Sequence, residues 1–260
     1  MNTGLKDLVM ASSAGNYREQ PTTASLATHF RCIWAHSLPP GFDKRVAVVP
    51  DGCSDIIWSE RGLYVVGPDR TAAFPPLQQG TTIVGIRFQA GSAAAWLNLS
   101  LAEITGKTVA ISDHWGASGK ELQQRLLEAP SITEKLALLQ AVLQKRACEV
   151  TTPSMDMRRT FDHLARERAT GEDTIRNLSR TLGYEERTFR RHCVDHFGYG
   201  PKTLERILRF QRLLRVFRSS RHEPLSVLAF EAGYADQAHM TREVRMLAGL
   251  SPTDIRRQLV

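Results

Sequence analysis

Cysteine is scarce in this sequence, and the four present are scattered. Cys32, Cys53, Cys148 and Cys193 stand far apart with no repeated spacing. A disulfide framework or a zinc knuckle needs closer pairs, so free thiols in a reducing compartment are the expectation. Long apolar runs are missing too. Stretches such as Val46 to Val49 and Ala93 to Leu97 fall far short of the ~20 residues of a membrane span. From Met1 to Gly15 no basic segment precedes an apolar one, so no secretory leader and no membrane partner are expected, and a cytoplasmic location follows. Clustered metal ligands are absent as well: His29, His36 and His114 are dispersed through the first half. No glycine-rich phosphate loop or serine-nucleophile elbow appears either. The expectation is a protein without metal, cofactor or catalytic site.

What is present is a basic C-terminal third. Between Thr174 and Val260 stand 16 Lys and Arg against 9 Asp and Glu, a net of +7, which is the net charge of the whole 260-residue chain. The preceding part is therefore neutral. A basic segment joined to a neutral one suggests a polyanionic partner for that segment alone, although a solvated Arg-rich helical surface would look the same.

Periodicity divides the chain. The first half carries short runs rich in Val, Ile and aromatics: Arg31 to His36, Arg45 to Val49, Asp55 to Trp58, Leu63 to Val66 and Thr82 to Phe88. Turn formers separate them, among them Pro50-Asp51-Gly52 and Gly67-Pro68-Asp69, a pattern that suggests a barrel or sandwich. Around Ser118 the period becomes helical. Ser131 and Glu134 form a capping pair before Ile132, Leu136, Leu139 and Leu143. That apolar stripe has two possible homes, a second chain or the protein's own barrel. Val150-Thr151-Thr152-Pro153 reads as a linker. The expected fold class is α+β, with a β domain over 1–116, linker or dimerisation helices over 117–152 and an all-α domain over 153–260.

The all-α part contains a repeat. Ile175 to Tyr184 and Leu225 to Tyr234 share one pattern fifty residues apart, each ending in Gly-Tyr and each followed by another helical stretch. Gly183 and Gly233 fall where a short helix must stop and reverse, a conformation glycine accepts at little cost. Short helix, tight turn and second helix make a helix-turn-helix unit. Leu178, Leu182 and Phe189 are the expected core of the first lobe, and Leu228, Tyr234, Met240 and Val244 that of the second. Asp236 is a good cap for the second groove helix, and Glu185 a poorer one for the first. The outer faces offer Glu186, Arg187, Arg190 and Arg191 in one lobe, and Gln237, His239, Thr241 and Arg242 in the other. Arg pairs with guanine and Gln with adenine through two hydrogen bonds. A connecting helix over Leu204 to Phe217 is about 21 Å long, enough to place two recognition helices in successive major grooves. Arg191 and Arg242 have an alternative role in bonding helix carbonyls, and Glu185 and Glu186 as solvated charges. His192, Cys193 and His196 lack a fourth partner for a metal.

At this point a resemblance becomes specific. Gly233 to Pro252 resembles the AraC/XylS family signature, and the upstream lobe matches it. The resemblance implies two lobes binding asymmetric half-sites on duplex DNA, with Arg187, Arg190 and Arg191, then Gln237, His239 and Arg242, at the contacting positions. Departures are Cys193-Val194 and Arg245-Met246, where an aromatic with a Lys is usual. RNA polymerase, a small-molecule effector and a second copy of the chain are the further partners it implies. Val48 to Trp58, Val65 to Pro68 and Gly85 to Gly91 resemble the cupin-like N-terminal domain of one AraC-regulator subgroup. This implies a sensing barrel, with Trp34, His36, Trp58, Arg87 and Phe88 as candidates to line a cavity. For Trp34, Trp58 and Phe88 plain core packing is the competing reading, and Asp51-Gly52 reads as a turn. A methyl-accepting repair regulator needs a four-cysteine site that Cys32 and Cys53 cannot supply. The competing functional reading gives the barrel no ligand, only dimerisation or protein interaction.

Overall fold

The computed structural model describes residues 8–77, 79–167, 172–220 and 222–259. Residues 1–7, where the leader expectation begins, lie outside that set. The N-terminal half is built on β1 (Leu8–Met10), β2 (Asn16–Pro21), β3 (Phe30–Ser37), β4 (Arg45–Ala47), β5 (Asp55–Ser59), β6 (Gly62–Val66), β7 (Thr82–Phe88) and β8 (Thr108–Ala110). Six of them form an antiparallel sheet in the order β2-β3-β7-β5-β6-β8, while β1 and β4 pair in parallel as a small second layer. The large sheet ends on β2 and β8, so the expected cupin-like barrel is present as antiparallel strands but does not close.

Strand alternation gives this sheet two unlike faces. Ile33, Ile56, Trp58, Leu63, Val65, Val84, Ile86 and Phe88 point to one side and are buried. They are covered by α1 (Ala93–Leu97), α2 (Ser112–Glu128, kinked at Gly116) and α3 (Ile132–Ala147). Ser131 caps α3 by accepting from the Glu134 N–H at 3.2 Å. Leu122, Leu126, Leu139 and Leu143 are spent on this core, so of the two possible homes for the stripe the protein's own sheet is the one observed. The opposite face carries Cys32, Trp34, His36, Asp55, Ile57, Tyr64, Ile83 and Arg87, most of them only partly buried. At its centre Gly85 is required, because a Cβ there would stand 2.5 Å from the Trp34 indole that lies across β7.

The C-terminal half is helical throughout: α4 (Met155–Arg166), α5 (Glu172–Thr181), α6 (Glu186–Phe197), α7 (Pro201–Ser219), α8 (Leu225–Glu231), α9 (Gln237–Ala248) and α10 (Pro252–Leu259). Helices α5–α6 and α8–α9 are the two helix-turn-helix lobes. Their turns contain Gly183 at φ +74 and Gly233 at φ +88, the left-handed region that a residue with a Cβ resists. The connecting helix α7 has 19 residues rather than the expected 14, because Pro201 opens it at the favoured first position. It buries Leu204, Ile207, Leu208, Phe210, Leu213, Leu214 and Phe217 between the lobes. Truncating Phe217, fully buried here, would cost about 3–5 kcal/mol.

The halves are not independent. Leu8, Met10 and Ala47 join the hydrophobic core of the C-terminal helices, and Gln258 bonds both the Met10 N–H and the Leu8 carbonyl.

Candidate nucleic-acid interface

The face of each groove helix follows from which positions its core takes. In α6, Phe189, Cys193 and Phe197 turn inward at a spacing of four residues. The same period leaves Arg187, Arg190 and Arg191 exposed on the far side. Among the described residues none of the three makes an ion pair or hydrogen bond. Three free guanidiniums on one helix face can hold phosphates or read guanine. Glu185, at the N-cap, makes no side-chain cap bond.

In α9, Met240, Val244, Leu247 and Ala248 are inward, and Gln237 and Arg242 outward and exposed. Asp236 caps the helix by accepting from the His239 N–H at 2.6 Å. His239 itself leans inward, edge-on to the Tyr234 ring at 5.4 Å and 3.7 Å from Glu243. Thr241 is half-buried and donates to the Gln237 carbonyl at 2.8 Å. Arg245, one turn beyond Arg242 and exposed, belongs to the outer face although the sequence reading passed over it. The helical period alone would have found it.

A buried charge cluster orients α9. Glu243 takes two hydrogen bonds from Arg209 Nη2, at 2.8 and 3.0 Å, and one from Arg206 at 3.2 Å. The Arg209 guanidinium lies 5.0 Å from the Tyr234 ring centre. Burial lowers the Arg209 pKa, and the hydrogen bonds and charge of Glu243 more than offset this and raise it. Arg212, also buried, donates to the carbonyls of Ala232 and Leu164. Helix α6, besides its core contacts and the Arg176–Glu186 pair at 3.0 Å, is also held by the N-terminal domain. Ser100 bonds Asp195 at 2.9 Å, His196 Nδ1 meets the Gly91 carbonyl at 2.9 Å, and Thr105 donates to the Gly198 carbonyl at 3.0 Å. Cys193 is buried and His192 lies against Tyr184, so the residues with ligand chemistry on this helix have packing roles.

The five cavity candidates separate onto the two faces of the sheet. Trp34, His36 and Arg87 lie on the open face. Trp58 and Phe88 point into the helix-covered core, where Lys135 Nζ sits 4.3 Å over Trp58 and Phe30 stacks on Phe88 at 4.8 Å. One cavity lined by all five is therefore corrected: Arg87 and Phe88 are neighbours on a strand and must face opposite ways. On the open face Arg87 binds Asp55, its cross-strand partner, through Nε at 3.1 Å and Nη2 at 3.3 Å. Trp34 Nε1 donates to the same carboxylate at 2.8 Å, and Asp51 reaches Arg87 Nη1 at 3.2 Å. Asp55, then Asp51, hold Arg87 charged against its burial. Asp51 also accepts from the Cys53 N–H at 2.9 Å and Gly52 has φ +81, so the expected turn is there. No sequence signal pointed to its ion pair with Arg87. Tyr17, 5.9 Å from Trp34, is another residue of this face that was missed.

Residues 178–258 match the family model of a helix-turn-helix domain, and residues 18–110 that of a domain of unknown function, DUF6597. No curated protein matches the sequence at a significant level. Among solved structures, ToxT from Vibrio cholerae O395 is 8% identical and aligns over 94% of this chain and 97% of its own, with a TM-score of 0.46. Unsaturated fatty acid bound wild-type ToxT from Vibrio cholerae strain SCE256 is 8% identical over 94% and 95%, with a TM-score of 0.42. The chain carries a helix-turn-helix domain at residues 178–258. Its C-terminal domain is of the AraC type. No helix among the described residues is long and apolar enough to cross a membrane.

Proposed function

We propose that this protein binds duplex DNA sequence-specifically through both lobes at once, without enzymatic activity, and that its N-terminal domain adjusts that binding in response to a small molecule. The observation that carries the reading is the pair of exposed polar faces whose side chains make no ion pair or hydrogen bond among the described residues: Arg187, Arg190 and Arg191 on α6, and Gln237, Arg242 and Arg245 on α9. The Arg and Gln side chains suit base edges and phosphates, while the inward His239 and half-buried Thr241 suit positioning. Further partners in this reading are RNA polymerase at the regulated promoter and a second copy of the chain.

The sensing element is the open sheet face, where Tyr17, Trp34 and the Asp51–Arg87–Asp55 group combine aromatic surface with charge. The shared core argues for testing the full chain rather than a fragment. Selection of random duplexes is expected to return a bipartite motif with halves about one helical turn apart, bound with a steep salt slope. Salt-sensitive binding without sequence preference would overturn the reading.

A second reading gives the N-terminal domain no ligand and only a dimerising role. The unclosed sheet favours it, since a barrel interior is where a ligand would be enclosed. A concentration-dependent mass of twice 29.1 kDa, with no response of DNA binding to any small molecule screened, would establish it.

A further inference from the structure

Between β6 and β7 the chain crosses the DNA-binding domain, and the segment Pro68 to Phe74 touches both groove helices at the same structural place. Each groove helix ends on a left-handed glycine, Gly198 at φ +80 and Gly249 at φ +69. At the first, a Cβ would stand 2.7 Å from Pro68 Cγ and 2.3 Å from Thr105 Oγ1. The Gly198 carbonyl accepts from Thr105 Oγ1 at 3.0 Å and, more weakly, from Arg70 at 3.5 Å. At the second, the Ala72 N–H donates to the Leu247 carbonyl at 2.7 Å, and the Phe74 ring comes within 3.8 Å of where a Gly249 Cβ would stand.

The segment is itself fixed. Ala73 and Val48 exchange two backbone hydrogen bonds of 2.9 Å, the Gly106 N–H donates to the Pro68 carbonyl at 3.1 Å, and Arg45 stacks on Phe74 at 4.9 Å. Seven residues span at most about 25 Å, and bends at Arg70 and Thr71 shorten that reach.

From this we infer that the Pro68–Phe74 strap is a spacing gauge: it fixes the distance between equivalent ends of the two recognition helices and thereby selects the spacer between half-sites. The inference rests on the reading that both lobes contact DNA. Phe74, within the strap, and Thr105, next to the Gly106 that bonds the strap's Pro68 carbonyl, are the positioning residues, one at each lobe, and neither lies on an outward groove face. Without these contacts α7, the shared helical core and the other N-terminal bonds to α6 still join the lobes, but the direct bridge between the two helix ends is weakened, and a duplex of altered spacer can be met by a small rotation of one lobe. With them, one lobe must strain or let go.

The test uses the full chain and duplexes carrying both half-sites, with spacers from two base pairs short to two long, alongside duplexes in which one half-site is scrambled. For the native chain each base pair of altered spacer is expected to cost about tenfold or more in affinity, since a lobe that cannot reach loses its linked contribution. In the Phe74→Ala/Thr105→Ala double variant the penalty is expected to fall to about twofold, with affinity for single half-site duplexes unchanged. Thr105→Ser, which keeps the hydroxyl, is expected to retain the native profile, and thermal melting of each variant reports folding. A steep spacer profile in the double variant would overturn the gauge, as would an equal loss on single half-sites. A native chain that reads sequence but ignores spacer would overturn the gauge alone, whereas a native chain with no sequence preference would overturn the two-lobe reading beneath it.

Discussion

The two lobes follow one sequence pattern, yet different parts of the molecule hold them. In the second, the groove helix is capped by Asp236 and locked to α7 by the buried Glu243–Arg209–Arg206 cluster. In the first, α6 has no side-chain cap, and its far end is held by Ser100, Gly91 and Thr105 of the N-terminal domain. The side-chain bonds that orient the second recognition helix thus lie within the C-terminal domain, and the N-terminal domain adds the Ala72 and Phe74 contacts at its far end. The first takes side-chain hydrogen bonds from the N-terminal domain, which makes it the lobe that a change there is expected to reach most directly.

The sharpest way to break this comparison is through the anchors. Glu243→Ala leaves Arg209 buried without its carboxylate and is expected to cost about 3–5 kcal/mol in urea unfolding. Asp195→Ala, its counterpart in the first lobe, removes a single half-buried hydrogen bond and is expected to cost about 1 kcal/mol. Equal losses would mean the lobes are held alike. On the reading faces, Arg190→Ala and Arg242→Ala are each expected to weaken specific binding by about 1–3 kcal/mol, measured by titration of the selected duplex at fixed salt. An intact affinity in the double variant would show that these faces do not read DNA.

Smaller effects separate the caps. Asp236→Ala is expected to lower stability by about 1 kcal/mol. Glu185→Ala should leave it nearly unchanged, because Glu185 makes no cap bond to lose. A pH-dependent effect concerns Asp69, whose carboxyl is pushed up to about 6 by burial and, secondarily, by the charge of Asp51. Its folded value lies above its unfolded one, so its contribution to stability is greatest in acid and is lost as pH rises from about 4 to about 6. Asp69→Asn is therefore expected to melt higher than the parent at pH 7.5 and to match it near pH 4. A parent melting point that rises over that interval relative to the variant would reverse the sign.

How much of this was legible depended on range. The lobes were readable because a helical period and a turn glycine are local: Leu178, Phe189, Leu228, Met240 and Val244 are buried as their spacing demands, and Asp236 caps. Arg245 departs from the family pattern, and only its angle on the helix places it beside Arg242. In the sheet, β2 has every residue exposed and β1 and β8 have three residues each, so none offered an apolar alternation to detect. Whether the sheet closes depends on pairing between distant strands, which no local pattern encodes. The split of the cavity candidates was within reach, since period-two alternation through Thr82 to Phe88 separates Arg87 from Phe88. The Asp51–Arg87 pair and the strap across both glycine caps were not, because each joins segments distant in sequence.

The most direct test of the central claim is a hydroxyl-radical footprint of the full chain on its selected duplex. Two lobes that read together predict two protected patches on one face of the DNA about one helical turn apart, both lost as salt rises. A single protected patch, or two that appear at different protein concentrations, would contradict simultaneous reading by α6 and α9.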